Sequence, residues 1–356
     1  MKKVLFTLSI LFFLNFVSLA QKENNLIIVH PTAYNLELFT YLIDSDIVKI
    51  NDLKIIGVYH TNENYDYSKS ETFIKENNLS FIKLKEIKEP ISAEQLYKKN
   101  NCSDIYVDIF NNSKGILFFG GPDLPPAIYN ETMSLFTRMT DPYRHYMEVS
   151  FLFHLLGGSQ NVDFIPLLET NPEYMVYGIC LGMQTMNVAT GGTMIQDIPS
   201  ETYGLMTVEE VLSSDSNIQH RNYINNLVND STLFSGSFHE IKINTLEPIV
   251  GDYKKNITPL VYSNHHQAIE SLGKDLKIIA TSTDSKIIEV IAHNKYSNVL
   301  GVQFHPEGIY LHNQEIKYRI KPIDELKSGK QTLLDSDSYD FHLKFWKTFS
   351  KKMNTN

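Results

Sequence analysis

The stretch Met175-Val176-Tyr177-Gly178-Ile179-Cys180-Leu181-Gly182-Met183-Gln184 decides how the rest of the chain is read. Residues 175–179 read as a strand that runs straight into Cys180, and a helix begins just beyond it. Gly178 and Gly182 flank the cysteine and leave room for a sharp strand-to-helix bend, the kind of turn that holds a side chain strained and exposed. The helix N-terminus adds free N–H groups and a positive end, which favour negative charge on sulfur. A thiolate so placed can attack a carbonyl carbon. The same residues also fit a structural cysteine between packing glycines, so partners are needed to decide.

A cysteine nucleophile needs a base within hydrogen-bond reach, and the base needs a group to orient it. Gly301-Val302-Gln303-Phe304-His305-Pro306-Glu307 offers both. Residues two apart on an extended strand point to one side, so Glu307 can hold the imidazole of His305 while the ring faces the thiol. Strand ends of a parallel sheet converge on one edge, so sequence distance is no obstacle. A third segment, Phe118-Phe119-Gly120-Gly121-Pro122-Asp123, ends a strand in two glycines. Acyl transfer needs donors aimed at the developing oxyanion, and the backbone N–H groups of Leu181 and Gly121 are the natural pair.

Together these segments resemble class I glutamine amidotransferase domains, and more narrowly the gamma-glutamyl-gamma-aminobutyrate hydrolase branch, peptidase family C26. The run Asn187-Val188-Ala189-Thr190-Gly191-Gly192-Thr193-Met194-Ile195-Gln196-Asp197-Ile198 and the segment Ser263-Asn264-His265-His266-Gln267 extend the likeness, which covers residues 25–307. The resemblance implies Cys180 as nucleophile, His305 as general base and then acid, and Glu307 as the orienting carboxylate. It implies a glutamyl thioester on Cys180 that water resolves, with Gln184 holding the glutamyl group and His265 as an auxiliary histidine near the scissile bond. It departs at Leu181, where the branch usually has Arg, and at Arg144-His145, where it usually has Arg-Asp. An Arg could bind a substrate carboxylate, so Leu181 bears on the leaving-group side.

Working outward, short apolar runs at 26–30, 53–59, 79–84 and 115–119 read as strands, with helical spacing at 37–47, 68–76, 93–99 and 141–156. Alternation of this kind predicts an α/β fold, an open, mostly parallel sheet flanked by helices, and the resemblance implies a flavodoxin-like core. Beyond residue 238 come closely spaced strands at 239–243, 260–262, 276–282, 287–293 and 299–304, then a helix at 339–349. The expected organisation is a leader at 1–20 and one hydrolase domain at 21–356, with weakly periodic insertions near 159–173 and 201–237.

Lys2 and Lys3, the apolar run 4–19 and the small residues Ser18 and Ala20 read as a cleavable export signal, giving a periplasmic or secreted protein with no stable membrane span. The net charge of −9 gives no general attraction for phosphate backbones, so no nucleic-acid partner is expected. Two cysteines, Cys102 and Cys180, exclude a disulfide scaffold, and both are expected to be free. No cofactor and no metal are expected, a set built from His265, His266 and His305 being the alternative weighed. The resulting expectation is an exported hydrolase of gamma-glutamyl amides or peptides. A glutaminase subunit feeding ammonia to a partner, and a gamma-glutamyl-binding protein without turnover, are the competing readings.

Overall fold

The computed structural model describes residues 24–245, 249–251 and 258–355; the leader expected at 1–20 lies outside them. In the first half, β1 (Asn25–Val29), β2 (Lys54–His60), β3 (Ile82–Ile87), β4 (Gly115–Phe118) and β5 (Met175–Ile179) alternate with α1 (Ala33–Asp44), α2 (Ser68–Glu76), α3 (Ser103–Asn111) and α4 (Pro142–Leu156). β5 leads into α5 (Leu181–Ala189). Then β6 (Ser237–Ile243), β7 (Leu260–Ser263), β8 (Leu276–Ser282), β9 (Ile288–His293) and β10 (Val299–Val302) follow, with α6 (Tyr339–Thr355) after them.

These ten strands join one sheet in the order β3-β2-β1-β4-β5-β10-β9-β8-β6-β7. The five pairings from β3 to β10 are parallel and the four beyond are antiparallel. Helices cover both faces, which is why the central strands read as unbroken apolar runs. Successive strand residues face opposite sides. Ile27, Val29, Ile116 and Phe118 therefore join the core under α3, α4 and α5, whereas Leu26, Ile28, Leu117 and Phe119 join that under α1 and α6. The order of strand addition reverses between β1 and β4, and such a reversal leaves a crevice beyond the strand C-termini. Cys180, Gly120-Gly121 and His305 follow β5, β4 and β10, so all three segments reach that edge.

Two elements differ from the sequence reading. The helix expected at 93–99 is a short 3₁₀ turn at Ala93–Gln95, and the helix proper is α3. Asn100 breaks the run: its side chain accepts from the Cys102 N–H and donates to the Gln95 carbonyl, both at 2.9 Å. The strand expected at 79–84 begins only at Ile82, because Leu79 belongs to the turn leaving α2, with its N–H on the Ile74 carbonyl.

The insertions part ways. Segment 159–173 packs Phe164 on Phe153 and His154 of α4 and places no residue at the cysteine. Segment 201–237 puts Ser235 into the wall of the cavity beside Cys180.

The turn between β5 and α5 leaves no room for a Cβ at its glycines. One on Gly178 would lie 2.5 Å from the Gly182 carbonyl carbon, and one on Gly182 would lie 2.4 Å from the Phe118 oxygen. Both obstacles are backbone. Gly182→Ala is therefore expected to lower the unfolding free energy by about 1–3 kcal/mol, seen as a lower urea midpoint at unchanged slope.

Candidate active site

Cys180 is the residue between β5 and α5, at φ 52° and ψ −106°. This is a sparsely populated conformation for a residue with a Cβ, at a cost of order 1–3 kcal/mol. Its neighbours enforce it. The Cys180 N–H donates to the Val302 carbonyl at 2.7 Å, and its carbonyl accepts from Met183 and Gln184, both at 3.1 Å. The backbone is thereby committed on both sides.

His305 follows β10, its N–H on the Tyr262 carbonyl at 2.8 Å. Its Nδ1 meets Glu307 Oε1 at 2.7 Å, which leaves the other ring nitrogen for its hydrogen bond with the Cys180 sulfur. Burial opposes a charge on this imidazole. The Glu307 carboxylate and the sulfur beside it outweigh burial and hold His305 well above the ordinary histidine range. The intervening Pro306 carbonyl accepts from Trp346 Nε1 of α6 at 3.0 Å and bonds His312 Nε2 at 2.9 Å. Nothing in the His-Pro-Glu motif itself announces that clamp.

The glycine loop after β4 lies against this row. A Cβ on Gly120 would stand 2.8 Å from His305 Cε1, and one on Gly121 would stand 2.1 Å from Arg144 Nη1. Arg144 is buried; its Nη2 donates to the Phe119 and Gly120 carbonyls at 3.2 and 3.0 Å, and its Nε to Glu148 Oε1 at 2.7 Å. In a trans peptide the N–H points opposite to the C=O. Drawing the Phe119 and Gly120 carbonyls onto Arg144 thus turns the N–H groups of Gly120 and Gly121 away from it. Leu181, fully buried, is the first residue of α5, and its N–H is one that a helix leaves without an intrahelical acceptor.

The loop is held a second time at Asp123. His266 bridges it to Asp197, with Nε2 3.1 Å from Asp123 and Nδ1 3.2 Å from Asp197. Burial pulls the imidazole down, but the two carboxylates win and push it up to about 9.

Cys180, His305 and Glu307 open on a cavity of about 380 Å³ that Gly120, Gly121, Tyr34, Asn35 and Asn264 help to line. A second cavity of about 390 Å³ adjoins it, sharing Tyr34, Leu38, Ser235, Tyr262 and Tyr310, and extends over Phe234 and Tyr318. Among the described residues, no Lys or Arg lines either space.

Two expected contacts lie elsewhere. Gln184 is buried, its amide 3.2 Å from both the Gln267 carbonyl and Gln303 Oε1, and it does not line the cavity. His265 is buried beside His220 and outside the lining, with Nδ1 on the Gln267 carbonyl at 2.9 Å. His265, His266 and His305 do not form a common set: each has the separate partners just described. Cys102 is free, as is Cys180, and packs under α3 with its sulfur on the Glu89 carbonyl.

A cysteine elbow beyond a central parallel strand, facing a His-Pro-Glu strand end, is the arrangement of the class I glutamine amidotransferase-like proteins. Within that class the chain matches the peptidase C26 family over residues 54–307 and belongs to it. Among curated proteins, it is 31% identical to the glutamine amidotransferase-like protein YvdE of Lactococcus lactis over 54% of this chain and 65% of that protein, less than two thirds of its length. It is 26% identical to the glutamine amidotransferase-like protein RP404 of Rickettsia prowazekii, over 61% of this chain and 78% of that one. A solved glutamine amidotransferase of Thermotoga maritima aligns with 94% of this chain and 100% of its own, at 12% identity and a TM-score of 0.41. Amide hydrolysis is the chemistry of the family.

Two outcomes are expected. Arg144→Met strands the buried Glu148 carboxylate and should cost about 3–5 kcal/mol in a urea titration, much of it recovered in Arg144→Met/Glu148→Leu. His266 holds its proton more tightly folded, near 9, than unfolded, near 6.5. Its stabilisation, roughly 3 kcal/mol for such a shift, is complete below pH 6.5 and lost as pH rises through 9. The stability difference between wild type and His266→Gln should shrink over that window.

Proposed function

We propose that this protein is an exported cysteine hydrolase of gamma-glutamyl amides whose leaving amine is apolar or aromatic. The observation that carries the reading is the Cys180–His305–Glu307 row opening on the cavity between β4, β5 and β10. Cys180 sulfur adds to the gamma-carbonyl carbon, and the resulting oxyanion is met by the N–H groups of Gly121 and Leu181. His305, held by Glu307, gives its proton to the departing amine as the C–N bond breaks, leaving a glutamyl thioester. Water then adds to the thioester, His305 takes its proton, and glutamate leaves as the sulfur is released.

Two features favour this leaving group. Leu181 supplies no cation, and Phe234, Tyr310 and Tyr318 line the adjoining space. A carboxylate on the amine would find hydroxyl and amide donors but no Lys or Arg among the described lining residues. Export rests on Lys2, Lys3 and the apolar run 4–19. Among the described residues, no helix is long and apolar enough to cross a membrane.

The test is glutamate release from glutamine, gamma-glutamyl-aminobutyrate and gamma-glutamyl-phenylalanine, with iodoacetamide labelling of Cys180 as a check on the thiol. The phenylalanine compound should lead in kcat/KM by roughly tenfold or more, the scale of one apolar side chain in a fitted pocket. Cys180→Ala should lower turnover at least about 10³-fold. Preference for the aminobutyrate compound would sink the leaving-group assignment. No turnover of any compound by protein whose Cys180 still reacts with iodoacetamide in a separate sample would sink the hydrolase reading and leave a binding role.

A further inference from the structure

Behind the cavity wall sits a set of side chains that the proposed chemistry does not use. His220, from the 201–237 segment, meets His239 of β6, His265 after β7 and Glu289 of β9. The four are buried, at 2, 0, 5 and 0% exposure. One ligand atom from each lies within 4.8 Å of all the others.

The orientation of the group is informative. His265 engages the Gln267 carbonyl through Nδ1 at 2.9 Å, and His239 engages the Glu240 carbonyl through Nδ1 at 3.3 Å. A ring whose Nδ1–H donates to a carbonyl presents the lone pair of Nε2, and backbone carbonyls commonly fix metal-bound histidines in this manner. His265 Nε2 has no hydrogen-bond partner; neither do both nitrogens of His220 and both oxygens of Glu289. Glu289 Oε1 is 3.3 Å from His220 Nδ1 and 3.9 Å from His239 Nε2. Unpaired buried carboxylate oxygens are costly unless a cation or donors meet them.

We propose that His220, His239, His265 and Glu289 bind a divalent transition metal of the zinc type. Three imidazoles and one carboxylate suit Zn²⁺, whose bonds of about 2.0–2.1 Å set tetrahedral ligand atoms about 3.4 Å apart. The ligands close inward by about an ångström to reach that spacing, and the Ser263 hydroxyl, 2.8 Å from His239 Nε2, gives way to the ion.

Four protein ligands leave no open position, and none of them lines the cavity, so the metal is structural. It joins the 201–237 segment to two strands of the sheet and to the loop after β7, where the His265 N–H already meets the His220 carbonyl at 3.0 Å. Asn264, which lines the Cys180 cavity, immediately precedes His265 in this tie. From sequence no metal is expected, and of the histidines His265, His266 and His305 only His265 belongs to this set.

The test uses the purified protein without a polyhistidine tag. Zinc is titrated against a chromophoric chelator, metal content is counted by mass spectrometry, and Tm is read with and without zinc. Wild type and Cys180→Ala should each hold one equivalent and gain Tm on binding. Glu289→Gln and His220→Ala should bind more weakly by more than about tenfold and lose that gain. Circular dichroism establishes that each variant is folded, and Co²⁺ in the wild-type site should show the visible bands of a tetrahedral ion. The proposal is overturned if folded wild type holds no equivalent, if both ligand variants bind as tightly as wild type, or if Cys180→Ala alone abolishes binding. None of these readouts requires turnover, so failure here is distinct from failure of the hydrolase reading.

Discussion

Everything at the crevice depends on one backbone residue held where its side chain disfavours it. Cys180 sits at positive φ because the chain must leave a central strand and enter a helix within a single residue. That geometry exists only while α5 lies close enough for Gly182 to touch the Phe118 carbonyl and for Gly178 to touch Gly182. A side chain at either place would push the helix outward and let the cysteine relax. The strain is local, and the parallel strands on both sides of β5 supply the rigidity that maintains it.

Around that point the protein fixes its loops with buried polar groups rather than with apolar contact alone. Arg144 gathers two carbonyls of the glycine loop, and Glu148 balances its charge. His266 ties the same loop to Asp197 through Asp123. The Arg144–Glu148 pair adds little net stability when complete yet is expensive to break, so it selects one loop conformation, whereas the His266 bridge also stabilises the fold while its ring is protonated. The residues doing this come from α4 and from two segments far along the chain, and they converge on the short loop 119–123.

The parts of this architecture that were legible in sequence share a physical cause. Buried parallel strands must be apolar throughout, so β1, β2, β4 and β5 stood out, and glycines on either side of a cysteine marked the turn. β3 was harder because charges interrupt this edge strand, and α3 because a turn built on the Asn100 side chain, rather than a proline or glycine, separates it from the 3₁₀ turn before it. The row Cys180, His305 and Glu307 was readable from spacing and strand direction. The placements of Gln184 and His265 were not, since a buried amide and a buried imidazole carry no mark of which neighbours they face. Nor was the group around Glu289, whose four members come from four separate segments and meet only when the antiparallel half of the sheet is assembled.

The bond from Trp346 to the Pro306 carbonyl spans 40 residues and fastens the segment between His305 and Glu307 from below. Its consequence is temporal. During synthesis the sulfur and the imidazole emerge well before the indole that anchors the histidine's strand end, so the three-residue row acquires its final alignment late. A chain still being made, or one clipped between β10 and α6, lacks the indole that holds the Pro306 carbonyl between His305 and Glu307.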